Sequence, residues 1–133
     1  MSIKLERQAI DLGIVTSNED NMLKFYRDTL GLDEVAEIPF PGLGTIKKLS
    51  CGDSFIKLLI LNQPAEKPPC KDGFTAAEGF RYCAITVTNL DELVADCREA
   101  DYKIVVDISK LRPGVRVAMV EDPDGNTIEF MGK

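Results

Sequence analysis

The sequence contains no histidine and no tryptophan among its 133 residues. Neutral imidazole is the commonest metal ligand and the commonest general base near neutral pH. Its absence excludes Ser-His and Cys-His nucleophilic dyads, zinc sites built on His, and facial triads of two His and one carboxylate. Any chemistry falls to carboxylates, lysine, tyrosine or cysteine, or there is binding without reaction. The four cysteines, Cys51, Cys70, Cys83 and Cys97, form no Cys-x-x-Cys pair. No basic-then-apolar leader opens the chain, so reduced thiols in a cytoplasmic protein are the expectation. The longest strongly apolar stretch, at residues 58–61, is far short of the ~20 residues of a membrane-spanning helix. Basic residues are outnumbered, 16 against 22, for a net charge of -6. That balance disfavours nucleic acid and anionic membranes and leaves a small molecule or another protein as partner. With 44% hydrophobic and 29% charged residues, the composition is that of a globular protein of about one domain.

Residues 10–16 are rich in aliphatic and β-branched side chains and end at Ser17-Asn18, where Asn18 is placed to cap a helix ahead of Glu19-Asp20. Met22, Phe25, Tyr26, Thr29 and Leu30 then form a helical apolar stripe that stops at Gly31, predicting one helix of about three turns. Strand-prone runs follow at 34–40, 45–50 and 54–61, divided by Pro41-Gly42-Leu43-Gly44 and Cys51-Gly52-Asp53, the second a tight hairpin turn. Prolines and glycines break up residues 62–79, which read as a linker. Beyond it come a strand at 81–87, a cap at Thr88-Asn89, a helical stripe of Leu90, Leu93, Val94 and Cys97, and strands at 102–106, 115–121 and 127–131. Asp122-Pro123-Asp124-Gly125 is a strong turn signal before the last of them.

The second half repeats the first. Asp11-Leu-Gly-Ile-Val-Thr-Ser-Asn18 aligns without gaps on Tyr82-Cys-Ala-Ile-Thr-Val-Thr-Asn89, a shift of 71 positions, and Ser54-Phe-Ile-Lys-Leu58 aligns on Asn126-Thr-Ile-Glu-Phe130, a shift of 72. Each half, about 55 residues, reads as strand, helix and three strands, too small to bury a sheet face alone. The expectation is that the halves share one core.

Phe25-Tyr26-Arg27-Asp28-Thr29-Leu30-Gly31-Leu32 and Glu121-Asp122-Pro123-Asp124-Gly125-Asn126-Thr127-Ile128-Glu129-Phe130 resemble the first helix and the closing hairpin of the vicinal oxygen chelate superfamily, which includes glyoxalase I, bleomycin-resistance proteins and extradiol dioxygenases. The resemblance implies an α+β fold: two tandem βαβββ modules forming a curled, cup-shaped mixed sheet with helices on the outside. It implies a single domain over 1–133, with module one at about 8–61, the linker at 62–79 and module two at about 80–131, completed as a homodimer. It also implies ligand positions on the first and last strand of each module. These fall on Asp11, where the family often has His, Lys57, where Glu is frequent, Tyr82 in the second His position, and Glu129, which matches.

Under the repeat Asp11 is equivalent to Tyr82 and Lys57 to Glu129, so a pseudo-twofold arrangement would turn all four toward one cavity. Asp11 and Glu129 offer oxygens to a hard or borderline cation. The ammonium of Lys57 opposes one, since a ligating lysine must first lose a proton with a reference pKa of about 10.4. Lys57 therefore reads as the replacement for the cation, paired with Asp11 and Glu129, while Tyr82 adds a phenolic hydrogen bond. Without a metal to polarise a substrate, binding without turnover leads. The function expected is that of a small-molecule-binding protein of the glyoxalase and bleomycin-resistance type, metal-independent, with no cofactor. Its binding candidates are Asp11, Lys57, Tyr82, Glu129, Arg81 and Phe40, and its ligand is anionic or carbonyl-bearing if Lys57 and Arg81 face it. The alternative is a divalent-metal-dependent lyase, isomerase or dioxygenase using Asp11 and Glu129. A metal-free enzyme, with Glu129 as base and Lys57 as electrostatic stabiliser or Schiff-base amine, is a variant, and an interaction module is a third class. Elsewhere, residues 40–44 read either as a mobile loop or as a strand connection. Phe74 is placed to reach a ligand or a dimer partner. Cys83 and Cys97 read as small core residues, Cys70 as the exposed thiol, and Lys47, Lys48 and Arg112 as solvated charges.

Overall fold

A computed structural model describes residues 2–133. The chain divides into two compact units, one running to Lys67 and the other from Pro68 to Lys133. The boundary lies within the segment that the prolines and glycines mark as a linker, and residues 62–81 hold no helix or strand.

In the first unit, β1 (Leu12–Thr16) leads into α1 (Glu19–Leu23) and a π-helical continuation (Lys24–Thr29), then β2 (Asp33–Phe40), β3 (Gly44–Cys51) and β4 (Ser54–Leu61). The second repeats the order with β5 (Tyr82–Thr86), α2 (Leu90–Glu99), β6 (Ile104–Arg112), β7 (Val115–Glu121) and β8 (Thr127–Gly132). Each unit is a βαβββ module around one mixed four-stranded sheet, in the order β1-β4-β3-β2 or β5-β8-β7-β6. The first strand runs parallel to the last, and the remaining pairs are antiparallel.

The internal repeat survives as strand register. Leu12 pairs with Ile56, Gly13 with Lys57 and Ile14 with Leu58. Their repeat equivalents pair in the same way: Cys83 with Ile128, Ala84 with Glu129 and Ile85 with Phe130. The helix starts also correspond, since Met22 N donates to Asn18 O and Leu93 N to Asn89 O, both at 3.0 Å.

Strand alternation gives each sheet two unlike faces. One carries Ile14, Ile56, Leu58 and Leu49 in the first unit and Ile128 and Phe130 in the second, all buried. This is the helix side. Gly132, in phase with Ile128 and Phe130, leaves room for α2: a Cβ there would stand 3.2 Å from the Leu90 Cβ. On the other face of β1 and β5, Val15 and Tyr82 are each 57% exposed.

Several elements depart from the sequence reading. The helix over 19–29 has the expected extent, but its second half is wound as π-helix. Leu30 N reaches back to Phe25 O at 2.9 Å, and Thr29 Oγ1 donates to Lys24 O at 2.9 Å. The wider turn accommodates adjacent Phe25 and Tyr26, both fully buried and in edge contact at 4.8 Å. Asn18 starts the helix with its backbone carbonyl and makes no side-chain cap; its Oδ1 accepts instead from Asn21 Nδ2 at 3.0 Å. Strand β6 runs on to Arg112, well past residue 106, because β7 pairs along it through three register irregularities. It lies at a sheet edge, where bulges and polar residues such as Asp107 and Lys110 are usual and hide the strand pattern.

Lys47 is not a solvated charge. Alternation puts it on the helix side with Leu49, where Nζ lies 2.9 Å from a Glu37 oxygen and 3.7 Å from oxygens of Glu19 and Glu34. The Asp122 turn explains its own sequence signature. Asp122 is buried, its Oδ1 accepts from the backbone N–H groups of Asp124 and Asn126, and its Oδ2 accepts from Asn126 Nδ2, all at 2.9 Å. Gly125, at φ 88°, supplies the left-handed residue that closes the turn before β8.

Candidate functional site

Asp11 and Lys57 lie on the face of the first sheet turned away from the helix, and the fold brings them together. Asp11 stands immediately before β1, beside Phe55 of β4. Its Oδ1 accepts from Phe55 N at 2.9 Å, and its Oδ2 lies 2.7 Å from Arg7 and 3.5 Å from Lys57 Nζ. The Arg7 hydrogen bond, with help from the Phe55 N–H and the charges of Arg7 and Lys57, holds the Asp11 carboxyl down at about 2. Arg7 is itself fixed by donating to Asp53 O and by stacking 5.1 Å from the Phe55 ring centroid.

A second lysine stands opposite the first. Lys48 of β3 is the cross-strand partner of Lys57, so both side chains project from the same face. Lys48 Nζ rests 3.9 Å from the Phe55 ring centroid, a cation–π contact. It is half-buried, not freely solvated. Phe40 shares this face by alternation through the β2–β3 register, but it lies two strands away from Lys57 at the far end of β2. The connection at 41–43 is a hydrogen-bonded hairpin turn, with Leu43 N on Phe40 O at 3.0 Å and Asn62 N on Leu43 O at 2.9 Å.

In the second unit, Tyr82 opens β5 and Glu129 sits in β8 between cross-strand neighbours Ala84 and Met119. Both lie on the face away from α2. Tyr82 is exposed and takes the edge of Phe74 at 6.2 Å, so Phe74 packs within its own unit. Arg81 is turned to the linker, where its guanidinium donates to Gly73 O at 2.9 Å and to Cys70 Sγ at 3.6 Å. On the Glu129 face, cross-strand partners Glu121 and Thr127 are buried, with Glu121 Oε2 and Thr127 Oγ1 lacking hydrogen-bond partners among the described residues; Lys103 Nζ stands 3.7 Å from the former. A cavity of about 490 Å³ opens at the ends of β5 and β8, lined by Thr86, Thr88, Arg112, Val115 and Met131 among others. Its size suits a small organic ligand, and its walls are largely apolar with a few polar groups.

Sequence reasoning missed Arg7, Lys48 and Phe55. Arg7 lies outside the repeat and carried no signal. Lys48 was accessible, because a tight turn at 51–54 fixes the β3–β4 register and places residue 48 opposite residue 57.

The donor set at Asp11 does not fit a divalent ion. Its two oxygens already serve a guanidinium, an ammonium and a backbone N–H, and a cation there would face two positive charges. Among the described residues, no group of three or more His, Cys, Asp or Glu side chains is placed to hold a metal ion. No helix among them is long and apolar enough to cross a membrane.

Against models of known families, residues 10–130 match the one described as Glyoxalase/Bleomycin resistance protein/Dioxygenase superfamily. No curated protein matches the chain. Among solved structures, a glyoxalase family protein from Bacillus cereus is similar over 97% of this chain and 95% of its own, with 20% identity and a TM-score of 0.82. The trypanothione-dependent glyoxalase I of Leishmania major is 25% identical over 95% of this chain and 86% of its own, with a TM-score of 0.72. An antibiotic binding protein from Streptomyces is 23% identical over 98% of this chain and 96% of its own, with a TM-score of 0.65.

Proposed function

Given that the chain belongs to the glyoxalase/bleomycin resistance protein/dioxygenase superfamily, we propose that it binds a small organic molecule without a metal ion and without turning it over. The observation that carries this reading is the Asp11 cluster. Where the resemblance puts a metal ligand, this chain has a carboxylate bound to Arg7 at 2.7 Å and approached by Lys57 at 3.5 Å. The positive charge that a metal would bring is supplied by side chains. A fixed ammonium can pair with a polar group of a ligand, but it cannot accept a lone pair as an open-coordinate metal does. The antibiotic binding protein from Streptomyces is a similar fold put to binding.

The test is elemental analysis of protein purified without chelator, followed by a thermal-shift screen of organic compounds with and without EDTA. The reading expects substoichiometric metal and ligand-induced stabilisation that EDTA leaves unchanged. Stoichiometric Mn, Fe, Ni or Zn, removable with loss of ligand binding, would overturn it.

A further inference from the structure

Lys48 and Lys57 are directly opposite each other across β3 and β4. Like charges in that relation destabilise a sheet, and each ammonium is drawn off in a different direction. Lys57 leans to Asp11 and Lys48 to the ring of Phe55. Arg7, which also lies in the field of Asp53, shares the Asp11 carboxylate with Lys57, whereas Lys48 makes no ion pair among the described residues. Alternation places Val15, Ile38 and Phe40 on the same face, and all three are exposed. The face therefore combines a lysine pair, one member of which has no acidic partner among the described residues, with exposed apolar surface.

We propose that this face of the first sheet recognises an organic anion, with a carboxylate, sulfonate or phosphate group received between Lys48 and Lys57 and an apolar body lying along the sheet. The inference rests on the small-molecule reading above and names its ligand class. Both ammonium groups sit on four-carbon stems and are held by contacts that an anion can replace: a 3.5 Å approach to a carboxylate already taken by Arg7, and a cation–π contact. An arriving anion relieves the Lys48–Lys57 repulsion. A neutral ligand of the same shape does not.

A matched pair of fluorescent probes tests this: 8-anilinonaphthalene-1-sulfonate and N-phenyl-1-naphthylamine, which share a body and differ by the sulfonate. Each is titrated into wild type, Lys48→Gln, Lys57→Gln and the control Lys110→Gln, with far-UV circular dichroism to confirm folding. Wild type and Lys110→Gln should bind the sulfonate at least about tenfold more tightly than the neutral probe, as expected for charge-assisted hydrogen bonds. That preference should shrink with added salt. Lys48→Gln and Lys57→Gln should lose it while keeping the affinity for the neutral probe. Equal binding of the two probes by wild type, or an unchanged preference in Lys48→Gln, would overturn the anion inference and leave small-molecule binding standing. Failure of both probes to bind would count against both.

Discussion

Leu58 and Leu59 are chemically identical neighbours in β4 that alternation sends to opposite faces. Leu58 is fully buried on the helix side, whereas Leu59 is partly exposed on the face that carries Lys57. Truncating Leu58 to alanine removes three carbons from a closed core. At about 0.8 kcal/mol per buried methylene the transfer loss alone is ~2.4 kcal/mol, and the residual cavity brings the total to about 3–5 kcal/mol. Leu59→Ala removes the same atoms from a half-open surface and leaves no closed cavity, so about 1 kcal/mol is expected. Chain length sets an unfolding entropy near 2.1 cal/mol/K per residue, so a 3 kcal/mol loss corresponds to a drop of about 10 °C in Tm and a 1 kcal/mol loss to about 4 °C. Urea denaturation followed by circular dichroism, checked by calorimetry, measures both. Equal losses for the two variants would mean that β4 does not present one face to a core and one to solvent, and the site assignment that depends on this alternation would fall with it.

Asp11→Asn should flatten the acid limb of the stability profile. The Asp11 carboxyl is held at about 2, below its usual 3.8, so its contribution is present above the higher value and is lost as pH falls through the lower one. Tm measured between these pH values should fall less steeply for the variant; parallel curves would show that the Arg7 contact contributes nothing. Thiol modification of the native protein, mapped by mass spectrometry, should reach Cys70 first and Cys97 last. The Asp72 backbone N–H and Arg81 lower the thiol pKa of exposed Cys70, whereas burial, with Asp96, pushes Cys97 up to about 11. Arg81→Gln should slow Cys70, and an unchanged rate would contradict the Arg81 contact.

How much of this was legible in the sequence differs by residue. The repeat was readable because β-branched and aliphatic runs recur with the same caps and turns, and the two sheets then carry it in equivalent strand registers. The Asp122 signature was readable as a turn because its chemistry is local: one carboxylate satisfies three donors within four residues. The π-helical winding was not, since it depends on how Phe25 and Tyr26 are packed, and a stripe fits either winding. Edge strand β6 was cut short because its polar residues carry no alternation. At the site, Asp11 and Lys57 were found through the family resemblance, but Arg7 reaches Asp11 from outside the positions it marks. Lys47 and Lys48 were misread together. Adjacent strand residues face opposite ways, so one belongs to an ion-pair cluster on the helix side and the other to the candidate binding face.

Side-chain cations stand where a metal would otherwise be held, and manganese titration of wild type and Lys57→Glu by calorimetry is the sharpest test of that substitution. The substitution removes an ammonium 3.5 Å from Asp11 and sets a second carboxylate beside the first. Wild type should show no measurable Mn²⁺ binding, and Lys57→Glu should gain at least about tenfold in affinity, roughly 1.4 kcal/mol. Tight Mn²⁺ binding by wild type, or no gain in a correctly folded Lys57→Glu, would contradict it.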